Sequence, residues 1–238
     1  MFKDKVAFIT GASSGIGLAI AQRLANAGMA VALAARRESK LREHVKKIQA
    51  AGGQASYFCM DVTDDAAMDQ ALEACKAQWG TVHVLVNNAG FGFWSPLTNT
   101  KMSDIDRMLA INLRAPIYLT RKLVPVFQSQ GEGYVVNISS VAGKVGFANM
   151  THYCASKWGL RGFGEALIEE LRSEGIKVST IMPGMVDTEF FPTGFSKDRR
   201  QMIRPEEVAE AVWSCLSVGE HATISELTLR TRVPVGDA

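Results

Sequence analysis

The sequence predicts an α/β fold: one doubly wound parallel sheet of about seven strands, with helices packed on both faces. Three observations carry this. Short β-branched runs alternate with longer amphipathic stretches along all 238 residues. Several runs are apolar at consecutive positions, as strands buried on both faces of a parallel sheet must be. The first run also passes straight into a glycine-rich turn and then a helical stretch, the opening of a strand–helix–strand unit.

Strands are expected at Val6–Thr10, Val31–Ala35, Ala55–Met60, Val82–Val86, Tyr134–Ile138, Lys177–Ile181 and Ile224–Leu229. Ile16–Ala27 is the first helix candidate. Glu38–Ala51 repeats apolar residues at Leu41, Val45 and Ile48, a helical period. Asp65–Trp79 follows the same pattern, with Asp64 placed to cap it. Two longer helices are expected around Ser103–Phe127 and His152–Ser173. Pro116 lies inside the first and is expected to kink it. Asp187–Arg204 breaks the rhythm. It holds Phe190, Phe191, Pro192, Gly194 and Phe195 without a period and reads as a lid-type insertion, a plain surface loop being the alternative.

Composition narrows the function. Hydrophobic residues make up 47% of the chain, enough for a sizeable core and against disorder. The formal net charge is +2 with no run of like charge, which argues against a nucleic-acid or acidic-membrane partner. Cys59, Cys75, Cys154 and Cys215 form no C-x-x-C pair and have no histidine at zinc spacing, so no metal is expected. The apolar run after Lys5 is too short for a signal segment. No stretch approaches the roughly 20 apolar residues of a membrane span. A cytoplasmic, reduced setting is the expectation.

Thr10-Gly11-Ala12-Ser13-Ser14-Gly15-Ile16-Gly17 joins the first strand to the first helix. Glycines at such a turn let the backbone approach a pyrophosphate, and the helix N-terminus adds free N–H groups and partial positive charge. The spacing is G-x-x-x-G-x-G rather than the commoner G-x-G-x-x-G, and a turn that only packs helix on strand is the competing reading. After the second strand, Ala34-Ala35-Arg36-Arg37 offers no acidic residue for the ribose hydroxyls of NAD. Arginine suits a 2′-phosphate instead, which points to NADP(H), with Arg36 ranked ahead of Arg37. Simple surface charge is the alternative.

Tyr153-Cys154-Ala155-Ser156-Lys157 sets a phenol and an ammonium on one helix face. A free tyrosine titrates near pH ~10, too high for efficient proton transfer at neutrality. The lysine charge is expected to lower that value. Upstream, Val135-Val136-Asn137-Ile138-Ser139-Ser140 reads as a strand ending in hydroxyls at the sheet edge where ligands bind. A tyrosine–lysine pair alone is common by chance.

The glycine turn, Asp61-Val62, Asn87-Asn88-Ala89-Gly90, Asn112, Ser140, Tyr153-x-x-x-Lys157, and Pro183-Gly184 with Thr188 occur in that order. With them the chain resembles the short-chain dehydrogenase/reductase family, in its compact NADP-preferring subgroup, over roughly residues 5–230. The resemblance implies a single Rossmann-type domain over residues 1–238 and an oxidoreductase that interconverts carbonyl and alcohol with NADP(H). It also implies roles. Gly11, Ser13, Ser14, Gly15, Ile16 and Gly17 would hold the pyrophosphate, and Arg36 or Arg37 the 2′-phosphate. Asp61 and Val62 would contact adenine, and Asn88, Ala89 and Gly90 would wall the ribose. Pro183, Gly184, Val186 and Thr188 would take the nicotinamide side. Tyr153 resembles the acid that protonates the developing alkoxide. Ser140 resembles the group that hydrogen-bonds the substrate carbonyl, with Ser139 its competitor. Lys157 resembles the residue that tunes the tyrosine and holds the nicotinamide ribose. Asn112 resembles the anchor of a water linking Lys157 to solvent.

Phe91, Phe93 and Trp94, then Val145, Phe147 and Met150, then Met185, Phe190 and Phe191 are expected to flank the reacting centre. As a pocket they suit a small apolar ketone, aldehyde or alcohol; as ordinary core they suit nothing in particular. His152 reads as a solvated residue at a helix start. Acyl-carrier-protein reductases of the family carry basic residues where this chain has Gln130-Gly131-Glu132-Gly133 and Ser173-Glu174-Gly175, which leaves 3-oxoacyl-thioester reduction as the alternative. Two other classes are a catalytically silent NADP(H)-binding regulator and an epimerase or dehydratase that retains its cofactor. The seventh strand continues into Arg230-Thr231-Arg232-Val233-Pro234 in place of the glycine-rich tail through which relatives form tetramers. A homodimer through the two long helices is therefore expected ahead of a homotetramer.

Overall fold

The structure, a computed structural model, describes residues 2–191 and 197–236. Seven strands form one parallel sheet: β1 (Val6–Thr10), β2 (Ala30–Ala35), β3 (Gln54–Cys59), β4 (Val84–Asn87), β5 (Gly133–Ile138), β6 (Ile176–Pro183) and β7 (Glu226–Leu229). Their spatial order is β3-β2-β1-β4-β5-β6-β7. Inner strands such as β1, β2 and β4 are buried at every position, whereas the edge strands β3 and β7 are partly exposed. That difference explains which runs read as uniformly apolar. The seventh strand starts later than expected. Ile224 and Ser225 are taken up by Ser179 Oγ and the Thr180 N–H before the ladder register begins at Glu226.

The helices divide between two faces. On one lie α1 (Gly15–Asn26), α2 (Glu38–Ala50) and α7 (Pro205–Ser217), with Ile20, Leu24, Leu41, Val45 and Val212 in one buried cluster. On the other lie α3 (Asp65–Trp79), α5 (Ala115–Gln130) and α6 (Thr151–Leu171), burying Met68, Leu72, Leu119, Leu123 and Leu167. Asp64 caps α3 as expected, its carboxylate accepting from the Ala66 and Ala67 N–H groups. From β3 the chain returns across the sheet to β4, so the reversal of strand order falls between β1 and β4. A cleft opens at the carboxyl ends of the strands there.

The predicted Ser103–Phe127 helix is three pieces: α4 (Met102–Leu109), a π-helical turn at Ala110–Arg114, and α5. Pro116 does not kink a helix interior. It sits in the first turn of α5, where a missing N–H costs nothing. The irregularity lies just before it and carries Asn112. The proline inside the helix is Pro125.

Of the suspected lid at 187–204, Pro192, Gly194 and Phe195 lie outside the described residues. The described ends are joined at their base by an isolated bridge between Val186 and Ile203. Arg199 binds the first end at three points: the Asp187 carboxylate (2.6 Å) and the carbonyls of Thr188 (3.2 Å) and Phe191 (3.0 Å). Among the described residues no helix is long and apolar enough to cross a membrane, and no cluster of His, Cys, Asp or Glu could hold a metal.

Candidate active site

A cavity of about 1060 Å³ runs along the carboxyl ends of the strands. It is at the upper end of the roughly 300–1,000 Å³ usual for ligand pockets, as a dinucleotide together with a substrate requires.

Its phosphate end is built by β1 and α1. Gly11 (φ 67°) and Gly15 (φ 55°) adopt left-handed backbone that other residues resist. A Cβ on Gly11 would lie 2.9 Å from the Ala89 Cα, so the turn and the segment after β4 are pressed together. Thr10 stitches them, its Oγ1 accepting from the Asn88 and Ala89 N–H groups, both at 3.0 Å. Ser14 is the N-cap of α1 but makes no side-chain cap, and the first turn holds no acidic residue. Backbone N–H groups and the positive helix end are thus left for an anion, which fits a pyrophosphate. Gly17 does not line the cavity. A Cβ there would meet Asn88 Nδ2 at 2.4 Å and the Gly11 carbonyl at 2.6 Å, so its part is packing helix on strand.

The two arginines after β2 separate in role. Arg37 Nε donates to Ser13 Oγ (3.1 Å), Nη2 to Ser14 Oγ (2.6 Å), and Nη1 pairs with Glu189 (2.7 Å). Among the described residues Arg36 has a loose 3.7 Å pairing with Asp61, and its side chain is 63% exposed. Its guanidinium remains available to a 2′-phosphate. Asp61 is held below the usual carboxylate range by Thr63 and Arg36, although its partial burial pulls the other way. Val62, Asn88, Ala89 and Gly90 line the same stretch of cavity.

At the other end, β5 delivers Ser139 and Ser140, and α6 delivers Tyr153 and Lys157. The two serines differ in their partners. Ser139 is buried, and its hydroxyl donates to the Lys157 carbonyl at 3.0 Å, tying β5 to α6. Ser140 caps the following turn by accepting from the Ala142 N–H (3.1 Å), and its hydroxyl favours the charged form of Tyr153. Gly92 passes directly against the tyrosine: a Cβ there would sit 2.6 Å from Phe190 and 2.8 Å from the Tyr153 ring. That approach was not foreseen, because it depends on two segments far apart in sequence.

The expected lowering of the tyrosine pKa is reversed. Burial pushes Tyr153 up to about 12, with the Ser140 hydrogen bond acting against it. Lys157 is buried too, and desolvation pushes it down to about 8. Its Nζ donates to the Ile138 carbonyl (2.9 Å) and lies 5.9 Å from the tyrosine ring centroid, and burial is the largest influence on the phenol.

Asn112 is buried in the π-helical turn, and its side chain is fully engaged. It accepts from the Phe91 N–H (2.8 Å) and donates to the Phe91 carbonyl (2.8 Å) and Ser156 Oγ (3.0 Å). Its carbonyl, however, has no α-helical partner four residues on, because Pro116 lacks an N–H.

Of the expected substrate residues, Phe91, Met150, Met185 and Phe190 line the cavity, as do Trp94, Phe147 and Phe191. Phe93 and Val145 do not. Phe93 turns away to stack on His152 (4.5 Å, 27°), and Val145 projects outward, 41% exposed. His152 is buried rather than solvated, with Nε2 3.3 Å from the Phe93 carbonyl oxygen. Pro183, Gly184, Val186 and Thr188 line the cavity beside the tyrosine end. Residues not foreseen there include Arg107, Lys197, Arg230, Thr231, Pro234 and Val235.

Residues 5–198 match the family model described as short chain dehydrogenase. An uncharacterised oxidoreductase of Staphylococcus saprophyticus is 35% identical over 232 residues, covering 96% of this chain and 97% of its own. Among solved structures, a metagenomic short-chain oxidoreductase in complex with NADP is 36% identical with a TM-score of 0.86, covering 98% of this chain and 99% of its own. An actinorhodin polyketide ketoreductase variant with NADPH is 30% identical with a TM-score of 0.89, covering 97% of this chain and 98% of its own.

Proposed function

The chain belongs to the short-chain dehydrogenase family, and from that premise we propose an NADP(H)-dependent oxidoreductase that interconverts a carbonyl and an alcohol on a small, largely apolar ketone or aldehyde. The observation that carries the chemistry is the meeting of Ser140 and Tyr153 on a shared cavity, the serine hydroxyl favouring the tyrosine's charged form, with Lys157 buried one helical turn away. NADP(H) as cofactor is supported by the ligands of the similar structures, by the uncapped N-terminus of α1 and by the open Arg36 guanidinium.

When bound, NADP(H) supplies or accepts the hydride. The chain's own residues do the rest. The hydroxyls of Ser140 and Tyr153 hold the carbonyl oxygen and stabilise the charge it develops. A phenol near 12 stays protonated at neutral pH, so Tyr153 keeps its proton until the oxygen becomes basic enough to take it. Lys157, near 8, exchanges a proton close to neutrality and restores the tyrosine. The Asn112 carbonyl, rather than its engaged side chain, is the group left to hold a water leading from Lys157 to solvent. Asp187–Arg204 serves as the lid, a role supported by the Arg199 contacts and by Phe190, whose ring centroid lies 5.9 Å from that of Tyr153. The exposed Ile117 and Trp158 on α5 and α6 support a dimer through that face.

The test is Tyr153→Phe. NADPH consumption with a panel of ketones and aldehydes should fall by about 10²–10⁴-fold, the usual worth of a positioned acid, while NADPH binding persists. Near-normal turnover in the variant would sink the assignment.

A further inference from the structure

Beside the Pro183–Gly184 turn the cavity is walled by the end of β7 and the tail beyond it. β7 pairs with β6 up to Pro183 opposite Leu229, and the Gly184 N–H donates to the Leu229 carbonyl at 2.9 Å. Arg230 comes next. A Cβ on Gly184 would lie 3.8 Å from its Cα, so the arginine leaves the sheet directly beside the Pro183–Gly184 turn. The tail beyond is fixed in place. Gly236 accepts from the Asp198 N–H (3.0 Å) and donates to Gln201 Oε1 (2.9 Å), which carries Pro234 and Val235 onto the cavity.

The other arginines around this cleft have neighbours or lie on the cofactor side. Arg36 faces Asp61, Arg37 pairs with Glu189, Arg107 lies over the Phe91 ring at 4.8 Å, and Arg199 holds Asp187. Arg230, an exposed residue, lines the cavity with no hydrogen-bond, ion-pair or ring partner among the described residues. Among those residues the acids lining the cavity are Asp61 and Glu189, each opposite its own arginine on the cofactor side. The substrate end is thus apolar, through Phe147, Phe190, Phe191 and Trp94, with Arg230 supplying positive charge. A planar guanidinium lining such a cavity matches a carboxylate, which it can bind with two parallel hydrogen bonds.

We infer that the substrate carries a carboxylate beyond its carbonyl, on an apolar spacer, and that Arg230 is the residue that selects for it. This rests on the oxidoreductase reading above and names the substrate class, an oxo acid or hydroxy acid.

The experiment compares each oxo acid of a series of increasing chain length with its own methyl ester, NADPH being the reductant, in the native protein and in Arg230→Gln. In parallel, the NADP⁺-loaded protein is titrated calorimetrically with the non-reacting saturated acid and its amide. The native protein should favour the best acid over its ester by about tenfold or more in kcat/KM, carried by KM and weakened by added salt. Arg230→Gln should bring acid and ester close to parity, and the calorimetric preference for acid over amide should vanish with it. Esters reduced as well as acids, or an acid preference that survives Arg230→Gln, would overturn the inference and leave the oxidoreductase reading intact. Arg230-dependent binding of the acid without turnover of any carbonyl would uphold the carboxylate site and remove the reaction assigned to it.

Discussion

Replacing Lys157 by Met should change how stability depends on pH in a way that only a buried ammonium can cause. Lys157 is 4% exposed, and its pKa falls from 10.5 to about 8 on folding because burial disfavours the charged form. Between those values the unfolded chain holds the proton more tightly than the folded one, so stability rises with pH across that window. At pH 7 the folded protein carries a cost of about 3 kcal/mol for keeping the charge in place, and by pH 10 most of it is relieved. Lys157→Met removes this term. It also leaves the Ile138 carbonyl without its partner, an offset that does not change with pH. Tyr153, held at about 12 when folded, contributes the opposite slope above its ordinary value of 10 in both proteins. Urea unfolding followed by tryptophan fluorescence, at steps from pH 7 to 10, gives the two stability curves. Native minus variant stability should rise by about 2–3 kcal/mol over that range. Curves that stay parallel to within about 0.5 kcal/mol would refute the burial argument, whatever their vertical separation.

Two further outcomes follow from the same geometry. Arg36→Ala should lower the preference for NADPH over NADH by about tenfold or more, the worth of a charge-assisted bond. Arg37→Ala, which removes contacts to Ser13, Ser14 and Glu189, should weaken both cofactors to a similar extent; fluorescence titration with each cofactor checks both variants. Ser140→Ala should reduce kcat by about 10²-fold or more, with about 1 kcal/mol lost from the cap on Ala142. Ser139→Ala should mainly destabilise the protein, by about 1 kcal/mol, through the lost bond to α6. Kinetics paired with urea melts tell the two serines apart.

The fold was legible because its signals are local. The uniformly apolar runs of the inner strands, the glycine turn after β1 and the cap at Asp64 are each read within a few residues. The site was legible as a set of motifs on the carboxyl ends of strands and on one helix face. Element ends were less clear, as at Ile224, where side chains of a neighbouring strand consume the backbone groups.

The sequence by itself determined the alternation that builds the parallel sheet, the glycine-rich turn and the shared face of Tyr153 and Lys157, since chain geometry alone sets those spacings. Only the tertiary structure decided which serine ties β5 to α6, which arginine is already engaged, and that the Asn112 side chain is spent on Phe91. It also decided that His152 is buried, that Phe93 points away, and that Arg230 reaches the cavity from the far end of the chain. Even the direction of the tyrosine shift was set there. The reason is the same throughout: hydrogen bonds and desolvation depend on partners brought from distant segments, and no local period records who those partners are.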